Sequence, residues 1–247
     1  MIMLIKKALR EVRRSLDVMA SKNRSKKASK LINTKKSGDY FVKPTPPYCA
    51  QFASPSLISN ILNKKIKAQD DPKWKSFGFS SVGDYEFWSW RLCGLICVKM
   101  ILDANQKAQN ETIATLTGKA VEMGGYNIQD DGGWFPRSLV RLAQQFGLSG
   151  KVFRLISVNE ITEFILEDEF FIASVHPGVI RYDVDKVPDS EKSGHLVLVW
   201  GVKIKNGKIA GFYIHNPSGR KPLTQKGAFI SLERFCNAFG ERGFSIY

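Results

Sequence analysis

Two apolar runs joined by Asn206-Gly207 constrain this 247-residue chain more than any other feature. The first is HLVLVWGVKIK from His195 and the second KIAGFYIHN from Lys208. Asn-Gly between such runs predicts a hairpin with a two-residue type I′ turn, because both turn residues tolerate positive φ. That turn sets Lys205 opposite Lys208, which places Val197 opposite Asn216 and His195 opposite Ser218 provided no bulge intervenes. Side chains alternate across a strand, so His195, Val197 and Asn216 share one face and His215 takes the other. His195 and Asn216 are then diagonal neighbours ~7–8 Å apart at the backbone, within side-chain hydrogen-bonding reach.

Upstream of the hairpin the periodicity is helical. Ser54-Pro55 reads as an N-cap with proline at the first helical position, followed by a short helix through Leu57, Ile58, Ile61 and Leu62. Leu92 to Asp103 is apolar all round, which predicts a helix inside the core. Pro136 opens SLVRLAQQF, which Gly147 can stop. Ser157 and Glu160 form a capping box ahead of ITEFIL, and EFFIASV at 169–175 reads as a buried strand. Helices first and antiparallel strands afterwards imply an α+β domain.

The charge is unevenly placed. Residues 1–43 carry 13 Lys+Arg and three Asp+Glu, a net of +10; the whole chain has 37 and 23, so 44–247 holds 24 against 20, a net of +4. Basic character therefore belongs to an N-terminal extension, 1–43, and the body is 44–247. Ile2, Ile5, Leu9, Val12, Leu16 and Met19 form one apolar stripe of a helix whose other face carries Lys6, Lys7, Arg10, Arg13 and Arg14. The stripe is expected to pack on the protein's own body; an anionic membrane surface or an acidic partner is the other reading. Residues 20–39 read as a solvated linker. No zinc-finger spacing or RNA-binding aromatic signature occurs, so no specific nucleic-acid partner is expected. No apolar run reaches the ~18 residues of a membrane span, and MIMLI lacks the length of a secretory signal core. Four cysteines in this length make no disulfide framework, so the cytoplasm is the expected compartment.

One cysteine stands out. Cys93 precedes Gly94 at the start of the apolar helix, where backbone N–H groups and the helix dipole favour a thiolate. A thiol pKa below the ordinary value is expected there. Cys97 lies a turn deeper and, like Cys49 and Cys236, reads as a small buried hydrophobe. The cysteine and histidine spacings match no zinc pattern, and neither metal nor cofactor is expected.

Cys93-Gly94, Gly194-His195-Leu-Val-Leu-Val-Trp-Gly201 and His215-Asn216-Pro217-Ser-Gly219 occur in that order. This order resembles the papain-like cysteine peptidase superfamily, most closely the bacteriocin-leader-processing (double-glycine leader) peptidases and their stand-alone relatives. Gly132-Gly133-Trp134 resembles that family's central segment, and the likeness spans roughly 44–240. The resemblance implies a papain-like fold with a helical part packed on an antiparallel sheet. It also implies a cysteine peptidase acting on a peptide or protein, with Cys93 as nucleophile, His195 as base and Asn216 orienting the imidazole. Two positions depart from the family. Asn216 stands where many leader peptidases have Asp. Phe87 stands six residues before the nucleophile, where the family places the oxyanion-hole glutamine. Gln51, in PPYCAQF, resembles the family's lead-in but lies well upstream; a helical insertion would have to bring it back, and an ordinary loop glutamine is the alternative. Trp88, Trp90 and Trp134 are candidates for a substrate cleft or for core. An acyl or amide transferase on the same fold, or a non-catalytic peptide-binding module, are the competing functions.

Overall fold

The computed structural model describes residues 2–179 and 187–247, without the side chains of 2–10 and 13. In chain order the described elements are α1 (Ile2–Asn33), β1 (Gly38–Phe41), α2 (Ile58–Leu62), α3 (Val82–Ser89), α4 (Cys93–Ala104) and α5 (Ile113–Glu122). They continue with α6 (Pro136–Gln145), β2 (Gly150–Phe153), α7 (Val158–Leu166), β3 (Phe170–Val175), β4 (His195–Lys205), β5 (Lys208–His215), β6 (Ala228–Ser231), α8 (Leu232–Ala238) and β7 (Phe239–Ile246). The strands form one antiparallel sheet in the order β2-β7-β3-β4-β5-β6, with β1 added on β4. Helix α4 packs on β4, so the architecture is α+β with a helical part against an antiparallel sheet.

The helix-to-sheet contact is close because of one glycine. A Cβ on Gly94 would come within 2.6 Å of Leu196 Cδ1 and 2.9 Å of Leu139 Cδ1. Leu95, Ile96, Cys97, Val98, Met100, Ile101 and Leu102 are all buried, which accounts for a helix apolar on every side.

The hairpin turn forms as its sequence predicts, with φ of 52° at Asn206 and 69° at Gly207. Lys205 pairs with Lys208 and Ile204 with Ile209, but Lys203 pairs with Gly211, leaving Ala210 extra on β5. Gly201 pairs with Tyr213 and Val199 with Ile214, leaving Trp200 extra on β4. A single bulge inverts every face beyond it. Two bulges on opposite strands cancel, and Leu198 again faces His215.

The N-terminal region differs from its sequence reading. Residues 20–33 are helical rather than a solvated linker, and α1 docks on α7. The docking face is Ser21, Arg24, Ala28 and Ile32. Buried Glu160 accepts from Ser21 Oγ at 2.8 Å, pairs with Arg24, and also accepts Ser157 N–H at 2.9 Å in the capping box. The apolar stripe does not pack on the body where its side chains are described: Val12, Leu16 and Met19 are 58%, 61% and 64% exposed. Ile2, Ile5 and Leu9 lie outside the described side chains. Two smaller readings are also corrected. Ser54 does not cap a helix; its hydroxyl donates to Asp71 at 2.6 Å, and Pro55–Leu57 is a 3₁₀ turn ahead of α2. Cys236 is exposed on α8, not buried.

Candidate active site

The start of β4, the end of β5 and the N-terminus of α4 converge. His195 Nε2 lies 2.8 Å from Asn216 Oδ1, with both residues almost fully buried. Ser218 donates its backbone N–H to the same Oδ1 at 3.1 Å. A backbone N–H can only donate, so the Asn216 atom facing it must be the oxygen, and that oxygen must also receive Nε2–H from His195. The neutral imidazole then carries its proton on Nε2 and leaves Nδ1 as the basic nitrogen. Ser218 Oγ adds a second contact, 3.1 Å from Nε2. Ser218 was not singled out by sequence; its position two residues after Asn216, in an Asx-turn pattern, is the signal that could have found it.

His215 is a different kind of histidine. It is fully buried, its Nδ1 accepts Gly227 N–H at 2.9 Å, and its Nε2 donates to the Pro46 carbonyl at 3.0 Å. Both nitrogens are committed, so it is a satisfied core residue on the face away from His195.

Cys93 opens α4, and Gly94 after it packs against Leu196, next to His195. Cys97, one turn on, donates to the Leu196 carbonyl at 3.7 Å. The described hydrogen bonds of the His195 ring go to Asn216 and Ser218, and none joins it to Cys93. The expected thiolate is not what this environment favours. Burial raises the Cys93 thiol above its ordinary value and outweighs the three backbone N–H groups that lower it. Burial also lowers His195, against the opposing hydrogen bond from Asn216. The resting pair is therefore neutral thiol and neutral imidazole, because desolvation penalises both charged forms.

Gln51 lies with its backbone beside Pro217, the residue after Asn216. Its N–H donates to the Pro217 carbonyl at 2.9 Å, it is buried, and its side-chain Oε1 is unpaired. The segment that follows is held by buried Asp71, which accepts Ser54 N–H at 2.8 Å and Tyr85 O–H at 2.8 Å; Tyr85 in turn accepts Ala53 N–H at 2.9 Å. Burial pushes the Asp71 carboxyl up, but these hydrogen bonds hold it below its ordinary value. From the other side, Tyr48 O–H donates to the Asn216 carbonyl at 3.0 Å. Phe87, at the family's glutamine position, lies under the Arg91 guanidinium, 3.9 Å from ring centroid to carbon.

Aromatic rings wall one side. Trp134 and Trp88 stack at 5.8 Å, and Tyr126 sits edge-on to both. Trp134 borders Gly94 and donates Nε1–H to the Arg91 carbonyl at 2.7 Å. Trp90 lies elsewhere, edge-on to Phe52. The candidates thus separate into a Trp88–Trp134 wall near Cys93 and a Trp90 that supports the Gln51 segment.

Among the described residues, no group of three or more acidic, His or Cys side chains is arranged to hold a metal ion. No described helix is long and apolar enough to cross a membrane. No family profile matches the chain, and no curated protein matches it. Several solved structures do. One is a double glycine motif protease from an AMS/PCAT transporter in complex with its leader peptide, at 17% identity and TM-score 0.36, covering 62% of this chain and 82% of that one. Another is a Bacillus anthracis protein described as a C39-like peptidase, at 12% identity and TM-score 0.38, covering 84% and 97%.

Proposed function

We propose that this chain is a cysteine peptidase acting through Cys93, His195 and Asn216. The observation that carries the reading is the Ser218–Asn216–His195 chain of hydrogen bonds, which leaves Nδ1 as the basic nitrogen on the strand whose Leu196 packs against Gly94, the neighbour of Cys93. Because the resting pair is neutral, attack begins with transfer of the thiol proton to Nδ1 as sulfur adds to the substrate carbonyl. The oxyanion develops beside the Cys93 backbone N–H, and the Gln51 side-chain amide is the second donor. The imidazolium then gives its proton from Nδ1 to the leaving amine, and a thioester on Cys93 remains. Water, deprotonated by the same nitrogen, hydrolyses that thioester and restores the thiol. Asn216 holds the ring in one tautomer and orientation throughout, the part the third member plays in a triad. The substrate class is a peptide, by analogy with the leader-bound protease above. No cofactor takes part in this scheme.

The test is acylation of the whole chain by N-acetylglycine p-nitrophenyl ester, followed by burst absorbance and intact mass. The expected result is one acyl group per chain on Cys93, no burst in Cys93→Ala, and a strongly slowed burst in His195→Ala. Adding glycinamide distinguishes hydrolysis from acyl transfer by the fraction of amide product. Acylation spread over all thiols, or none on Cys93, would leave the non-catalytic binding module as the function.

A further inference from the structure

On the far side of α6 from Cys93, a groove of about 570 Å³ lies between α1, α6 and the edge strand β2. Leu139 of α6 packs towards Gly94, whereas Arg137 and Arg141 of the same helix line the groove. Lys151 and Arg154 line it from the strand side, and all four cations are exposed. None of the four has an ion-pair partner among the described residues. Arg24 also borders the groove but is engaged by Glu160, and Asp17 is the lone acidic lining residue. Glu169 also acts on Lys151, so the uncompensated charge lies chiefly on Arg137, Arg141 and Arg154.

The groove floor has a second property. Ser149 and Tyr247 exchange both backbone hydrogen bonds, so the next bonded pairs are Lys151 with Ser245 and Phe153 with Gly243. Gly150 and Val152 fall at the alternate positions, and their N–H and C=O groups point away from β7. Both residues line the groove. Alternating donors and acceptors at strand spacing match a peptide backbone; a phosphate chain offers acceptors alone. Arg137 and Arg141 are one helical turn apart, ~6 Å of rise, close to the ~6.8 Å between alternate residues of a strand.

From this juxtaposition we infer that the α6–β2 groove docks an extended acidic peptide, which adds as a strand to β2 and presents alternate carboxylates to Arg137 and Arg141. Binding here uses none of the Cys93 constellation, so it is read without turnover and stands or falls separately from the peptidase reading.

The probe is fluorescein-labelled Thr-Glu-Val-Glu-Val-Thr, titrated with the full chain and followed by anisotropy at low and at moderate salt. Binding should weaken at least tenfold in Arg137→Glu/Arg141→Glu and when Gln replaces both Glu in the peptide, and fall steeply with salt. Cys93→Ala should bind as the parent does. Of two probes N-methylated on alternate amides in opposite phase, one should lose binding. Should the α6 double variant fail to fold by circular dichroism, Lys151→Ala/Arg154→Ala, on exposed side chains, serves with the same expectation. Equal binding by the charge variants, or by both N-methylated probes, overturns the proposal. So does tighter binding of oligo-dT than of the peptide, which would make the groove a nucleic-acid site.

Discussion

Asn216→Asp places a carboxylate where an amide oxygen now meets His195 Nε2, and its effect can be worked out from the geometry. At the observed 2.8 Å, a full charge on each partner attracts with about 6 kcal/mol at an effective dielectric constant of ~20. The carboxylate loses hydration in the same buried position, and the Ser218 N–H restores part of it, so the net shift is smaller than the bare Coulomb energy. An opposite charge at hydrogen-bonding distance typically moves a pKa by about one to three units, at ~1.36 kcal/mol each. The imidazole, lowered by burial in the parent, should therefore rise by that amount in Asn216→Asp. Carbon-detected NMR titration of the imidazoles measures this directly, with His215 as an internal reference. The acid limb of acylation should move to higher pH by the same increment, since Nδ1 must be unprotonated to accept the thiol proton. An unshifted His195 titration in a folded Asn216→Asp protein would refute the Asn216–His195 contact and the tautomer argument built on it.

Iodoacetamide should label Cys93 slowly at mildly acidic pH and faster as pH rises beyond the ordinary thiol range, because burial raises its pKa; Cys97, raised further, should stay unlabelled, as tryptic mass mapping will show. Gly94→Ala should cost about 1–2 kcal/mol in urea unfolding, from overpacking of ~1–3 kcal/mol partly offset by helix propensity. Its acylation rate should fall far more, by on the order of a hundredfold, if the added methyl displaces Cys93 by ~1 Å from β4. Arg24→Ala should lower stability by about 2 kcal/mol, since it removes a charged hydrogen bond from buried Glu160 and loosens α1 from α7. His195 and His215 both have folded-state pKa values lowered by burial, so the unfolded chain binds more protons below about pH 6.5. Urea stability should be fullest above that pH and fall as acid carries it from the unfolded towards the folded values, and His215→Gln should flatten part of that slope.

The elements that were legible in the sequence are those governed by local physics. Asn206-Gly207 encodes its own turn, Ser157 and Glu160 their own cap, and the apolar run from Leu92 its own burial, because each depends on neighbours within a turn or a hairpin. His195 and Asn216 were legible as a pair for the same reason, though their shared face survived only because bulges at Trp200 and Ala210 cancel. No local pattern reveals a bulge, since it answers to side-chain packing across the sheet. The tertiary structure alone decided the rest. Gln51 reaches Pro217 through an insertion anchored on buried Asp71, a contact between segments far apart in sequence. Residues 20–33, polar enough to read as linker, become helix because Glu160 of another helix needs Ser21 and Arg24. The sign of the Cys93 shift was decided there as well. A helix start favours the thiolate by a local field, but burial disfavours it by removing water, and how much water is removed depends on everything packed around the thiol.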